Sequence, residues 1–134
     1  MIKDIEFPKV KGVSVAITRK INELNQAEWT VHLINKNDVD LHNVLICSKG
    51  YGIINEEKRM TSTLRHLLSH VPAKSNVVIE PIDPAIFLLN NEYWVSYYVG
   101  ETIFDKKFIF LPETILESNL IFIPSLNMNG ILHD

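Results

Sequence analysis

A short apolar run closed by turn residues recurs about every ten residues along this chain, and that spacing restricts the fold more than any single motif. Val13, Val15 and Ile17 alternate with Ser14, Ala16 and Thr18, and Trp29, Val31 and Leu33 alternate with Thr30 and His32. A period of two sends successive side chains to opposite faces, so both segments read as half-buried strands. Ile21 to Glu28 between them is polar and reads as a loop, and Asn35-Lys36-Asn37-Asp38 favours a turn. Leu41 to Ser48 is the next run, ending at Gly50-Tyr51-Gly52, and Glu56-Glu57-Lys58-Arg59 reads as a solvated turn. Val77 to Glu80 is stopped by Pro81 and Pro84, Ile86 to Leu89 is an apolar stub, and Tyr93 to Val99 and Thr102 to Leu111 flank Gly100-Glu101. Met60 to Val71 carries two signals: Thr61-Ser62-Thr63 favours a strand, while Leu64, Leu67, Leu68 and Val71 have helical spacing. Pro72 ends the segment in either case.

Composition agrees with strands. The 134 residues hold 17 Ile and 11 Val against 4 Ala, and β-branched side chains suit a pleated surface whereas Ala is the best helix former. The expectation is an all-β, antiparallel immunoglobulin-like sandwich of about seven strands over residues 1–115, with 116–134 as a C-terminal tail packing on the domain or on a partner. A small partly open barrel is the alternative. Its core is expected to contain Val15, Ile17, Trp29, Val31, Leu33, Val95, Tyr97, Phe108 and Phe110.

One register follows from the residues. If Gly100-Glu101 is a two-residue hairpin loop, Val99 faces Thr102. Tyr97 then pairs with Phe104, Val95 with Lys106 and Tyr93 with Phe108 on the apolar face. Tyr98 pairs with Ile103, Ser96 with Asp105 and Trp94 with Lys107 on the other. A slip of one residue would bury Asp105 and Lys107. Trp94, Tyr98, Ile103 and Lys107 are therefore the interaction candidates, with Lys107 placed for a cation–π contact to Trp94. Trp94 is expected to be covered by something outside its hairpin, either the segment Leu120-Ile121-Phe122-Ile123-Pro124 or another copy of the chain.

Catalytic signatures are sparse. His66 and His70, four apart, share one face of a helix as in zinc hydrolases, but Leu67 stands where those enzymes place the general base. On a strand the pair shares a face about 13 Å apart, too far for one ion. His32 and His42 flank the Asn35–Asp38 turn and read as a solvated pair across a hairpin. Cys47, the single cysteine, lies in an apolar run and reads as a small hydrophobe, with Lys49 on its strand face. Neither a Gly-x-Ser-x-Gly elbow nor a phosphate-binding glycine loop is present. No catalytic residue, metal or cofactor is assigned. The net charge of −3 and pI of about 5.9 oppose nucleic-acid binding, even though Trp29, Trp94 and Tyr98 offer stacking surfaces.

Met1-Ile2-Lys3-Asp4-Ile5-Glu6 lacks the apolar stretch of a signal peptide, and no run approaches the roughly 18 apolar residues of a membrane span. With one cysteine and so no internal disulfide, a cytoplasmic location is expected.

Three segments, Glu28-Trp29-Thr30-Val31-His32-Leu33-Ile34-Asn35, Thr61-Ser62-Thr63-Leu64-Arg65-His66 and Leu89-Asn90-Asn91-Glu92-Tyr93-Trp94-Val95-Ser96-Tyr97, carry a resemblance over nearly the whole chain. The chain resembles a family of small bacterial proteins of similar length that carry the label phenylalanyl-tRNA synthetase alpha subunit. That label implies an RNA- or aminoacylation-related role. A class II synthetase subunit uses an arginine on the ATP α-phosphate and a glycine-rich segment ending in another. Arg19, Arg59 and Arg65 match neither context, so no active-site residue is carried over. The residues themselves favour a non-enzymatic module that binds another protein or self-associates. An accessory protein in aminoacylation and a metal-dependent hydrolase using His66 and His70 are the alternatives.

Overall fold

Among the described residues, alternation and turn chemistry become ten antiparallel strands: Val13–Ile21 (β1), Ala27–Asn35 (β2), Leu41–Ile54 (β3), Glu57–Met60 (β4), Leu64–Val71 (β5), Ser75–Pro81 (β6), Asn90–Val99 (β7), Thr102–Phe110 (β8), Ile121–Ile123 (β9) and Met128–His133 (β10). This computed structural model describes residues 10–134, and the Met1–Glu6 pattern lies outside the described residues. The first sheet has the order β6-β2-β1-β10-β9. In the second, β3 pairs with β7 and β7 with β8, while β4 and β5 lie along the other edge of β3. The two sheets form an all-β sandwich and not a closed barrel. Among the described residues no helix is long and apolar enough to cross a membrane.

All nine expected core residues are buried between the sheets, joined by Leu41, Val44, Ile46, Val71 and Tyr93. Tyr97 stacks on Phe104 at a centroid distance of 5.3 Å, and Phe87 meets Trp29 edge-on at 5.0 Å. The β7–β8 register matches the hairpin expectation at every pair from Val99–Thr102 to Tyr93–Phe108.

Several expectations are corrected. The described residues form ten strands where about seven were expected. β3 does not end at Gly50-Tyr51-Gly52 but continues through it. A Cβ on Gly50 or Gly52 would stand 3.3 Å from the side chain of Leu89, so the missing side chains make room for that leucine. Glu57 to Arg59, read as part of a solvated turn, joins Met60 in a short charged strand paired with β3, a composition that discourages further strand addition at an edge. Of the two signals in Met60 to Val71, the strand is the one realised. The free edge of β3 takes up Leu64–Val71 as a strand, placing Leu68 and Val71 inward and leaving Leu64 and Leu67 exposed.

The largest correction concerns residues 116–134. They are not an appended tail: β10 pairs with β1 from Val15–His133 to Arg19–Asn129, and β9 extends the same sheet. The β9–β10 turn lies against the outer face of the first sheet. There Leu126 packs with Ala16, Ile34, Ile123 and Leu132, and the Asn76 amide donates to the Ser125 carbonyl at 3.3 Å. Ser14, Ala16 and Thr18 are consequently buried, so β1 is covered on both faces and not half-buried.

Candidate functional site

Strand register brings two rows of side chains together on the outer face of the second sheet. Arg65, Cys47, Trp94 and Lys107 align across β5, β3, β7 and β8, and beside them run Leu67, Leu45, Ser96 and Asp105. A third row holds His70, His42, Tyr98 and Ile103. Their chain neighbours Ile46, Val95, Tyr97 and Phe108 point inward and fill the core, which forces these residues outward. Leu67 is 74 % exposed, Ile103 44 %, Trp94 43 % and Tyr98 37 %. Lys107 Nζ lies 6.0 Å from the Trp94 ring centroid, so the hairpin's cation–π contact is formed.

The segment proposed from sequence to cover Trp94 does not do so. Leu120 packs against the sandwich core, and Ile121–Ile123 belongs to the first sheet. Next to Trp94, a depression of about 210 Å³ is lined by Cys47, Lys49, Thr63, Arg65 and Glu92. Lys49 approaches Glu92 at 3.7 Å and the Tyr51 hydroxyl donates to the same carboxylate at 3.3 Å, whereas Arg65 has no carboxylate partner among the described residues.

The histidines separate. Asn43, at φ +48°, marks a bulge in β3 against β7, and the faces of β3 and β5 switch there. His70 therefore turns outward, stacking on His42 at 5.5 Å and bonding Asp40 Oδ2 at 2.9 Å. The Ala73 N–H and then His70 hold the Asp40 carboxyl below its ordinary range. His66 turns inward. The hydrolase pair His66/His70 thus lies on opposite faces, which corrects the expectation that a strand would keep them on one. Among the described residues no three His, Cys, Asp or Glu side chains converge to hold a metal. His32 and His42 belong to different sheets and do not approach across a hairpin. His32 is buried and bonds Thr18 Oγ1 at 2.9 Å, and desolvation pushes its pKa below the usual imidazole value.

A second constellation was not legible in the sequence. Glu80 on β6 accepts from Ser48 Oγ at 2.7 Å and from His66 Nε2 at 2.8 Å, both at Oε1. These bonds tie the two sheets together. Because His66 and Ser48 meet the same oxygen, the histidine is not placed to take the serine proton, and the group is not a nucleophile relay. Tyr93 lies alongside, 2 % exposed. Burial, with the Glu80 charge adding, holds its hydroxyl well above the ordinary tyrosine range. Ser48, His66, Glu80 and Tyr93 come from four strands, so no spacing announces them.

Comparison with protein-family models, with curated proteins and with solved structures finds no match for this chain.

Proposed function

We propose that the protein is a non-enzymatic binding module that self-associates through the outer face of the β5-β3-β7-β8 sheet. The observation that carries this reading is an asymmetry. The first sheet's outer face is covered by the chain's own β9–β10 turn, while the second presents Leu67, Trp94, Tyr98 and Ile103 in one continuous face that no other described segment covers. Large exposed apolar surface grouped in this way is the usual mark of an interface, and Trp and Tyr are frequent anchors there.

Charge selects a second copy as the occupant. The face carries Lys49, Arg65 and Lys107 against Glu92 and Asp105, a nearly balanced set that suits neither a nucleic acid nor a strongly charged partner. Consider a twofold axis in the interface, perpendicular to the strands and midway between the Trp94 and Ser96 rows. It sets Lys107 of one copy against Asp105 of the other, twice over. The same axis sets Trp94 against the small Ser96 and Ile109 against Ile103. An isologous interface needs such self-complementarity.

Sedimentation velocity across a concentration series tests the reading. The wild type is expected to shift toward a dimer as concentration rises, and Trp94→Glu to stay monomeric. Lys107→Asp should weaken association by about tenfold, as expected for an unfavourable charge contact at an interface. Adding Asp105→Lys to it should restore association. A wild type that remains monomeric throughout, or a double variant no better than Lys107→Asp, overturns the proposal.

A further inference from the structure

The fold pairs the histidines differently from their spacing in the chain. His70 lies four residues from His66, and His42 lies across the Asn35–Asp38 turn from His32, yet the β3–β5 register sets His42 directly opposite His70. Asn43, at φ +48°, bulges β3 beside His42, and bulges re-aim side chains and are over-represented next to functional sites. Here both imidazoles leave the core face together. They stack on the outer face with centroids 5.5 Å apart and ring planes 22° from parallel.

One ring is already prepared as a ligand. His70 Nε2 lies 2.9 Å from Asp40 Oδ2, and the other Asp40 oxygen accepts from the Ala73 N–H at 2.8 Å. A carboxylate can only accept, so Nε2 carries the proton and Nδ1 of the neutral ring keeps its lone pair. A metal-binding histidine almost always spends its other N–H on a carboxylate, a carbonyl or a water in this way. We infer that His42 and His70 bind a late first-row divalent metal ion, with Asp40 as the positioning residue for His70. Imidazole suits zinc, nickel and copper, whereas magnesium and calcium take oxygen ligands. Metal–nitrogen bonds of about 2.0–2.1 Å bring two neighbouring ligand nitrogens to about 3 Å from each other. The two rings reach that separation by tilting together, and both are exposed, so no packing opposes the rotation. His70 Nδ1 and one ring nitrogen of His42 are the protein ligands. Water fills the remaining positions, since no third ligating side chain among the described residues converges on the pair.

Titration of the ¹⁵N-labelled protein with zinc chloride at pH 7.5, in a buffer that does not chelate metals, provides the test. Saturable shifts are expected at the His42, His70 and Tyr98 amides, with none from magnesium chloride at the same concentration. Asp40→Asn keeps an oxygen for the Ala73 N–H but turns an amide donor toward His70, and should weaken binding by about tenfold or more. His42→Gln and His70→Gln each remove a ligand and should weaken it at least as much, with far-UV circular dichroism unchanged. Long-range ¹H–¹⁵N spectra of the metal-free wild type should show His70 protonated at Nε2, a preference that Asp40→Asn removes. Shifts that do not saturate, that centre on other histidines, or that persist at equal affinity in His42→Gln overturn the inference, as does a wild-type His70 protonated at Nδ1. All three side chains belong to one copy of the chain, so neither result bears on self-association.

Discussion

Replacing Thr18 by valine removes one hydroxyl from a fully buried position on β1 and tests how the outer face of the first sheet is held. The Thr18 oxygen lies 2.9 Å from His32 Nε2 and 3.3 Å from the Thr30 carbonyl oxygen. Since that carbonyl can only accept, the hydroxyl donates to it and accepts from the His32 Nε2–H. His32 Nδ1 is then a bare acceptor, and it has no partner. Thr18→Val leaves the Nε2–H unpaired as well, in a residue that is 7 % exposed. An orphaned buried donor costs about 1–3 kcal/mol. Urea unfolding at pH 7.5 should show that loss as a lower midpoint at an unchanged slope. In the double variant Thr18→Val/His32→Leu the polar partners go together, so its destabilisation should fall short of the sum of the singles by about 1 kcal/mol or more. Additivity within about 0.3–0.5 kcal/mol would refute the argument that the two groups bond to each other. The pH dependence has a definite sign. Burial lowers the folded pKa of His32, so below the unfolded value near 6.5 the unfolded chain binds more protons than the native one. Stability therefore falls as pH drops through that value, by at most about 1.4 kcal/mol per pH unit for this one group, until the folded pKa is passed. His32→Leu should flatten this part of the profile.

Three further outcomes are expected. Phe108→Ala empties a fully buried site between the sheets and should cost about 3–5 kcal/mol in chemical denaturation. Gly130→Ala places a Cβ 2.7 Å from the Ile17 carbonyl oxygen, backbone that cannot rotate away, and should cost about 1–3 kcal/mol with faster amide exchange along β10. Asn35→Ala strips the carbonyls of Val39, Val71 and Pro72 of their shared side-chain donor, and a loss of about 2–4 kcal/mol in thermal or urea unfolding is the expected result.

The β7–β8 hairpin and the core were legible in the chain because their determinants are local. Alternation assigns each side chain to a face, and a two-residue loop sets the register, so the common face of Trp94, Tyr98, Ile103 and Lys107 follows from the local sequence alone. The all-β class was equally legible from the abundance of Ile and Val and the scarcity of Ala. Tertiary structure decided everything that needs a neighbour distant in sequence. Ile121–Ile123 is short, and Met128–His133 contains Asn and Gly, so neither announces a strand. Each becomes one through backbone hydrogen bonds that β1, at the other end of the chain, makes available to β10. The same pairing buries Ser14 and Thr18, which alternation alone assigns to solvent. Leu67 and Arg65 joined the outer face only when β5 took up the edge of β3, overriding helical spacing with unpaired strand donors and acceptors. His66 and Glu80 met because the sandwich closes, a juxtaposition that depends on how two sheets stack and leaves no trace in residue spacing.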